Sequence, residues 1–237
     1  MRIAKYKLQA GCLLLTASVA ASPPQGVAPP DGITFTELER AEGLAIAGHP
    51  NELWRVRALR ALKLGQPARA ADAFRTAAVY ADKYSQHALS LLYWHGTGVD
   101  RDRALAYIWS DLAAERGYRS LLLVREKMWM ELSDAERDRV RELGPDLYAR
   151  FGDDVAQPRM EWELRKARAR ITGSRLGFEK DRVQFAQNRY DVDAEDAFAA
   201  GRWAPADYWQ AEDHAWSGKV LVLPAERVDD AEPAPED

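Results

Sequence analysis

The stretch Ala88-Leu-Ser-Leu-Leu-Tyr93-Trp-His-Gly96-Thr-Gly98-Val99-Asp-Arg-Asp102-Arg-Ala-Leu-Ala106-Tyr-Ile-Trp109-Ser-Asp-Leu-Ala113-Ala114-Glu-Arg-Gly117 decides the fold. It predicts a helix, a glycine-bearing turn, a second helix and a glycine stop. Small side chains fall where two helices must touch, while Leu92, Tyr93 and Trp109 are large enough to fill the gaps between layers. Gly96 and Gly98 suit the positive φ of a tight interhelical turn. Trp109 is expected in the core, where bulky aromatics dominate.

Working outward, the pattern repeats. Moving forward by 36 positions carries Ala70 onto Ala106, Ala77 onto Ala113, Ala78 onto Ala114 and Ala81 onto Gly117. A period in the thirties with helix–turn–helix content points to an α-solenoid, in which each pair buries its apolar face against the next. The turn Gly65-Gln-Pro67 is shorter than Gly96 to Arg101, so the first helices of the two pairs do not keep the offset.

The flanks are helical too. Thr34 with Glu37, and Thr36 with Glu39, each fit a capping box ahead of Phe35, Leu38, Ala41, Leu44 and Ala45 at helical spacing. Gly48-His-Pro50 ends that helix, and Asn51 is expected to cap the next, with Trp54, Ala58, Ala61 and Leu62 on one face. Ala68 to Ala81 reads as a third helix and Arg119 to Leu132 as another. Ser133-Asp-Ala-Glu136 is a further capping box, Gly144-Pro145 is expected to break or kink its helix before Tyr148 to Phe151, and Gln157 to Ile171 is helical.

Tyr93, Gly96, Gly98, Val99, Asp102, Ala106, Trp109, Ala113, Ala114 and Gly117, at these spacings, resemble the Sel-one-like repeat, a relative of the tetratricopeptide repeat. Ala70, Ala73, Ala77 and Ala78 resemble a degraded second copy. The resemblance covers roughly Phe35 to Leu132. It implies a tetratricopeptide-type α-solenoid acting as an adaptor in assembly or signalling, with no catalytic residues, because the motif is structural. Exported relatives are often stapled by cysteines, which this chain does not share.

The ends bound the setting. Arg2, Lys5 and Lys7 precede the uncharged run Gly11 to Ala21, and Ser18-Val-Ala20 and Val19-Ala-Ala21 place small residues where signal peptidase cuts. The run is shorter than the roughly 20 residues of a membrane span. Cys12 is the only cysteine. Lipidation there is disfavoured, because Gln9 replaces the usual aliphatic residue and the apolar stretch follows the cysteine. A mature chain without cysteine has neither disulfides nor a thiolate metal site. The 33 basic and 37 acidic residues leave a formal net charge of −4, which argues against nucleic acid as a partner. The expected organisation is a signal peptide over 1–21, a linker over 22–33, repeats over 34–132 and capping helices over 133–171. A small irregular appendage follows over 172–224, then an acidic disordered tail over 225–237. Val183-Gln-Phe185 and Val220-Leu-Val-Leu223 read as short strands within the appendage, which also carries Tyr190, Phe198, Trp203, Tyr208, Trp209 and Trp216.

Motifs for chemistry are weak. His49, His87, His95 and His214 do not form a helical metal pair, so no metal or cofactor is expected. Ser174 lies in no nucleophile elbow, and Gly96-Thr-Gly98 lacks the strand and lysine of a phosphate loop. Asp191, Asp193 and Asp196 lack the glycine and glutamate of a calcium loop. Arg159, Arg165, Lys166, Arg168, Arg170 and Arg175 concentrate positive charge, either as a solvated helix face or facing an anionic envelope polymer. Two functions are consistent with the residues. In the first, a periplasmic or secreted interaction module binds an envelope protein or peptide segment, with Trp54, Arg57, Tyr84, His87 and Tyr93 as groove candidates that equally suit a core. In the second, Trp203, Trp209 and Trp216 bind an envelope polysaccharide, and a carboxylate pair such as Asp207 and Asp213 cleaves it.

Overall fold

The computed structural model describes residues 32–46, 48–173, 182–185, 190–193 and 202–216. The expected signal segment, most of the expected linker, Val220–Leu223 and the acidic tail lie outside the described residues. The fold is mainly helical and solenoid-like.

Helix α1, Phe35–Ala45, is capped by Thr34, whose side chain accepts from the Glu37 amide while Glu37 reaches back to the Thr34 amide at 2.6 Å. Thr36 lies inside the helix and forms no cap, which corrects the second box. Helix α2, Pro50–Lys63, begins at a proline already set at helical φ, so His49 takes the cap position. Asn51 is therefore not the cap; it is buried within the first turn and donates to the Tyr208 hydroxyl at 2.7 Å.

The next four helices carry the repeat. They are α3 (Pro67–Ala78), α4 (Lys83–His95), α5 (Arg103–Ala114) and α6 (Arg119–Glu131). Adding 36 to both ends of α3 gives α5, and the same shift turns α4 into α6. Helix α3 stops at Ala78, short of the expected Ala81, because Ala81 adopts a left-handed φ of 60°. Its equivalent, Gly117, has φ 76°. The two helix pairs thus turn at the same point with the same backbone conformation, once on alanine and once on glycine.

Helices α2 with α3, and α4 with α5, form two hairpins that stack through α3 and α4. Ala70, Ala71, Ala77, Ala78, Ala104, Ala106 and Ala113 are all fully buried along these contacts. Their small volume permits close backbone approach, and Phe74, Leu89, Leu92, Ile108, Trp109 and Leu112 fill the space between. Each such large side chain contributes about 2 kcal/mol by leaving water. Asp82 and Asp102 cap α4 and α5 by accepting from the Ser85 and Leu105 amides. Gly98, at φ 73°, presses against the Pro67–Ala68 backbone, so a turn of one pair touches the start of the other.

Helix α7, Asp134–Phe151, opens on the Ser133–Glu136 capping box and packs on α5. It runs through Gly144-Pro145 as one helix, so the expected break does not occur there. Leu143, Leu147 and Tyr148 on both sides of the proline are held against the core, and that packing offsets the lost backbone bond. The break falls instead at Gly152, whose extended backbone separates α7 from α8, Asp153–Gly173. Helix α8 starts four residues ahead of the expected Gln157 and then turns back over the hairpins. Gln86 donates to the Phe151 carbonyl just ahead of it, Arg159 donates to the Val79 carbonyl, and Ala167 abuts Gly48 in the α1–α2 turn. A two-stranded antiparallel ladder follows, with β1 (Arg182–Phe185) paired to β2 (Tyr190–Asp193). Helix α9, Pro205–Trp216, completes the described elements. No helix among the described residues is long and apolar enough to cross a membrane.

Candidate functional site beneath the C-terminal helices

The turn after α3 and the turn after α5 bring charged residues to one face, and α8 and α9 cover it. Lys83 is 1% exposed, and its ammonium donates to the Leu112 carbonyl at 2.7 Å and to Glu115 at 2.9 Å. Asp153, at the start of α8, lies 2.9 Å from the same nitrogen. Arg116 forms a two-pronged bond to Asp153 at 2.8 and 3.3 Å, donates to the Ala81 carbonyl, and lies 4.6 Å over the Trp209 ring. A bidentate guanidinium–carboxylate pair of this kind fixes orientation as well as charge.

A second half of the same network involves α2. Arg55 bridges Asp82 at 3.1 Å and Glu212 of α9 at 3.8 Å. Arg202 pairs with Glu52 at 2.8 Å. The His49 ring donates from Nε2 to the Arg202 carbonyl at 2.7 Å and packs edge-on to Trp203. Tyr208 accepts from Asn51 and donates to Glu52 at 3.4 Å. At the far end Trp216 stacks on Tyr118 with ring centroids 5.6 Å apart and also meets Tyr84. The Tyr118 hydroxyl donates to Asp213.

Burial and charge set the titration of these groups. Burial pushes His49 below its ordinary value, although the Glu52 charge works against it. Burial alone takes His87 down to about 4. Burial raises Glu52, but His49, Arg202 and Arg55 outweigh it and hold the carboxyl below the usual range. Glu212 is shifted the other way: burial, with Asp82 and Glu52 nearby, lifts it above the usual range despite Arg55. The Tyr84 hydroxyl is pushed up to about 12 by burial.

The five predicted groove residues separate. Trp54 and Arg57 lie together, with the guanidinium 4.9 Å from the indole and bonded to Glu42. Tyr93 is half-buried and accepts from Arg75 at 2.8 Å. Tyr84 lies between Phe74 and Trp216, and His87 is buried. Of the aromatics proposed for sugar stacking, Trp203 is buried against His49, while Trp209, beside Arg116 and Tyr208, and Trp216, beside Tyr118, are half-buried. Asp207 is exposed, whereas Asp213 meets Tyr118 and Arg116. Gly96 ends α4 in the left-handed region, and Ala106, Trp109, Ala113 and Ala114 are buried.

Among the described residues, no group of three or more His, Cys, Asp or Glu converges to hold a metal ion. Ser174, Asp196, Arg175 and Phe198 lie outside the described residues, as do the side chains of Arg170, Tyr190, Asp191 and Asp193. On α8, Arg159 is spent on the Val79 and Arg150 carbonyls, while Arg165 and Lys166 pair with Glu161 and Glu163. A shallow cavity of about 400 Å³ lies elsewhere, between Arg101, Asp102, Arg103, Glu136 and Arg139. Its arginines face its own acids, Arg139 to Asp102 at 2.9 Å and Arg103 to Glu136 at 3.9 Å.

Sequence reasoning missed Glu52, Arg55, Asp82, Lys83, Glu115, Arg116, Asp153, Arg202 and Glu212 as one network. The available signal was modest: Asp82-Lys83 follows the buried Ala81 in the turn after α3, and Glu115-Arg116 follows the buried Ala114 at the end of α5. No protein-family model matches this chain, and no curated protein or solved structure matches it.

Proposed function

We propose that this chain is an exported Sel-one-like helical-repeat protein that serves as an adaptor between proteins in the bacterial envelope. The observation that supports this most is the 36-residue relation of α3 to α5 and of α4 to α6, with Ala70, Ala77 and Ala78 of α3 and their equivalents Ala106, Ala113 and Ala114 of α5 all buried. Repeats of this kind build surface without building a reaction centre. On this reading residues 1–21 direct export, residues 34–132 are the repeats, and the segment from Thr172 is a small appendage carrying short strands. The partner is an envelope protein or peptide segment. The contact surface includes Trp54 with Arg57 and Tyr93, which keep solvent-facing area after the helices have packed.

The test uses the full chain with its own leader. Photo-crosslinking residues are placed at Trp54 and at Tyr93, with Arg141 on exposed α7 as control. The expected result is a discrete envelope protein crosslinked from Trp54 or Tyr93 and not from Arg141. Equal labelling from all three positions, or recovery of the chain in the cytoplasmic fraction with its leader intact, overturns the reading.

A further inference from the structure

The array of helix pairs stops half-way through a pair. Helices α2 with α3, and α4 with α5, lie side by side as hairpins, and α6 stacks on α5 as α4 stacks on α3. The helix that would complete a hairpin with α6 does not lie on its flank, because α7 packs on α5 and not along α6. The consequence is visible at positions 36 residues apart. His87 and Ser90 are buried in α4, whereas their equivalents in α6, Leu123 and Glu126, are exposed. Leu123 is 63% exposed and Met130, two turns further on, is 72% exposed, the highest values for large apolar side chains among the described residues. Lys127, exposed as well, completes a strip at 123, 126, 127 and 130, the i, i+3, i+4, i+7 spacing of one helix face. The strip lies opposite the buried Leu121, Val124 and Met128. An array end that meets only water carries a polar outer face, and this one carries leucine and methionine.

We propose that this strip of α6 is the contact face for a second copy of the chain, with the two α6 helices antiparallel across a twofold axis that passes between Glu126 and Lys127. The order of the side chains carries the proposal. Antiparallel pairing in this register sets Leu123 against the second copy's Met130 and Glu126 against the second copy's Lys127, and the twofold makes each contact twice. Every member of the strip then meets its complement. A parallel pair would set Glu126 on Glu126 and Lys127 on Lys127, which like charge opposes. Both charges are available. Lys127 makes no salt bridge with a described residue, and Arg125 engages Glu126 through Oε1 alone, leaving Oε2 open to a second cation. One helix face of this length buries about 800 Å² in total, the weak end of specific association, so monomer and dimer exchange with a Kd of about 10–100 μM. The inference stands on α6 and does not depend on the adaptor reading, whose Trp54 and Tyr93 lie on α2 and α4.

The test is analytical ultracentrifugation of the full chain, purified as the cell makes it, from about 1 to 500 μM. A reversible dimer is expected, and Leu123→Asp should raise its Kd at least about tenfold with unchanged circular dichroism. E126K and K127E should each weaken self-association about tenfold. An equimolar mixture of these two variants should form a heterodimer about as tight as the wild-type dimer, because one chain then presents two cations and the other two anions. A chain that stays monomeric over the whole range overturns the proposal, as does a dimer that Leu123→Asp leaves intact. Should Leu123→Asp lose its helicity, the two charge variants decide. No weakening by either, or weakening with no recovery in the mixture, overturns the antiparallel α6 contact. A photo-crosslinker at Leu123 that captures a different protein in place of a second copy overturns it too. Failure of the dimer while crosslinks from Trp54 or Tyr93 persist removes the α6 contact alone. Loss of those crosslinks with the dimer intact removes the adaptor surface and supports the α6 contact.

Discussion

The seam between the two hairpins and the interface beneath α8 and α9 solve the same packing problem with opposite chemistry. The seam packs the small residues of α3 against α4, and the buried alanines of α3 recur 36 residues on in α5. The C-terminal interface is built from buried lysine, arginine, carboxylates and tyrosine, each used once and drawn from distant parts of the chain. Small apolar residues are tolerant of register only if nothing large intrudes. Buried ion pairs are intolerant of losing a single member, because the partner is then left charged and dry. The two regions should therefore fail in different ways.

The strongest probe of the seam is Gly98→Ala. The added Cβ would lie within 2.5 Å of the Ala68 amide nitrogen at φ 73°, so both sterics and backbone oppose it. We expect a loss of more than about 3 kcal/mol in urea denaturation. Gly117→Ala separates the two causes: φ is 76° but nothing lies within 4 Å. Its loss should be about 1 kcal/mol, the backbone part alone. Similar losses for the two variants would break the claim that the turn is pressed against the neighbouring pair.

Lys83→Met tests the polar interface. It takes the ammonium away from Glu115 and Asp153, each 2.9 Å from it, and leaves Asp153 on Arg116 and Glu115 on the Asp153 amide. The expected loss is about 2 kcal/mol in urea denaturation, and Lys83→Met with Glu115→Gln should recover part of it.

Acid sharpens the contrast next. His87 titrates near 4 in the folded chain against an ordinary 6.5, so the unfolded chain binds more protons between those values. Its stabilising contribution is complete above pH 6.5 and is lost as pH falls toward 4; His49 acts in the same direction. Glu212, raised when folded, acts oppositely: its contribution is present at low pH and is lost as pH rises through its folded value. Stability should be about 2 kcal/mol lower at pH 5 than at pH 7.5, and His87→Gln should flatten that slope. The smallest effect belongs to Trp216→Ala, which removes the stack on Tyr118. A loss of about 1 kcal/mol is expected, with faster amide exchange confined to 205–216.

The seam was legible in sequence because its determinants recur. Ala70, Ala77 and Ala78 announce Ala106, Ala113 and Ala114, and Ala81 announces Gly117. The helix limits around Asn51, Ala81 and Gly144-Pro145 were less legible, because proline at a first turn, a left-handed alanine and tertiary support of an internal proline override local preference. The charged interface was almost silent. Lys83 and Asp153, or Glu52 and Arg202, are far apart along the chain and follow no period. Residues of this kind read as ordinary solvated charges until α8 is seen to double back. The groove candidate Tyr84 had the right composition for a surface, but Trp216 from the other end of the chain packs on it.

The path of α8 has a mechanical consequence. In a simple stack each layer touches only its neighbours, so the array stretches like a spring and can melt from either end. Here one rod reaches from the Gly152 hinge to the Gly48 turn, pinning layers that are not adjacent. Extension requires shearing that rod off first, and unzipping from one end is coupled to the other. The body should resist pulling as a single brittle unit and unfold in one cooperative step, giving up the elasticity of longer arrays.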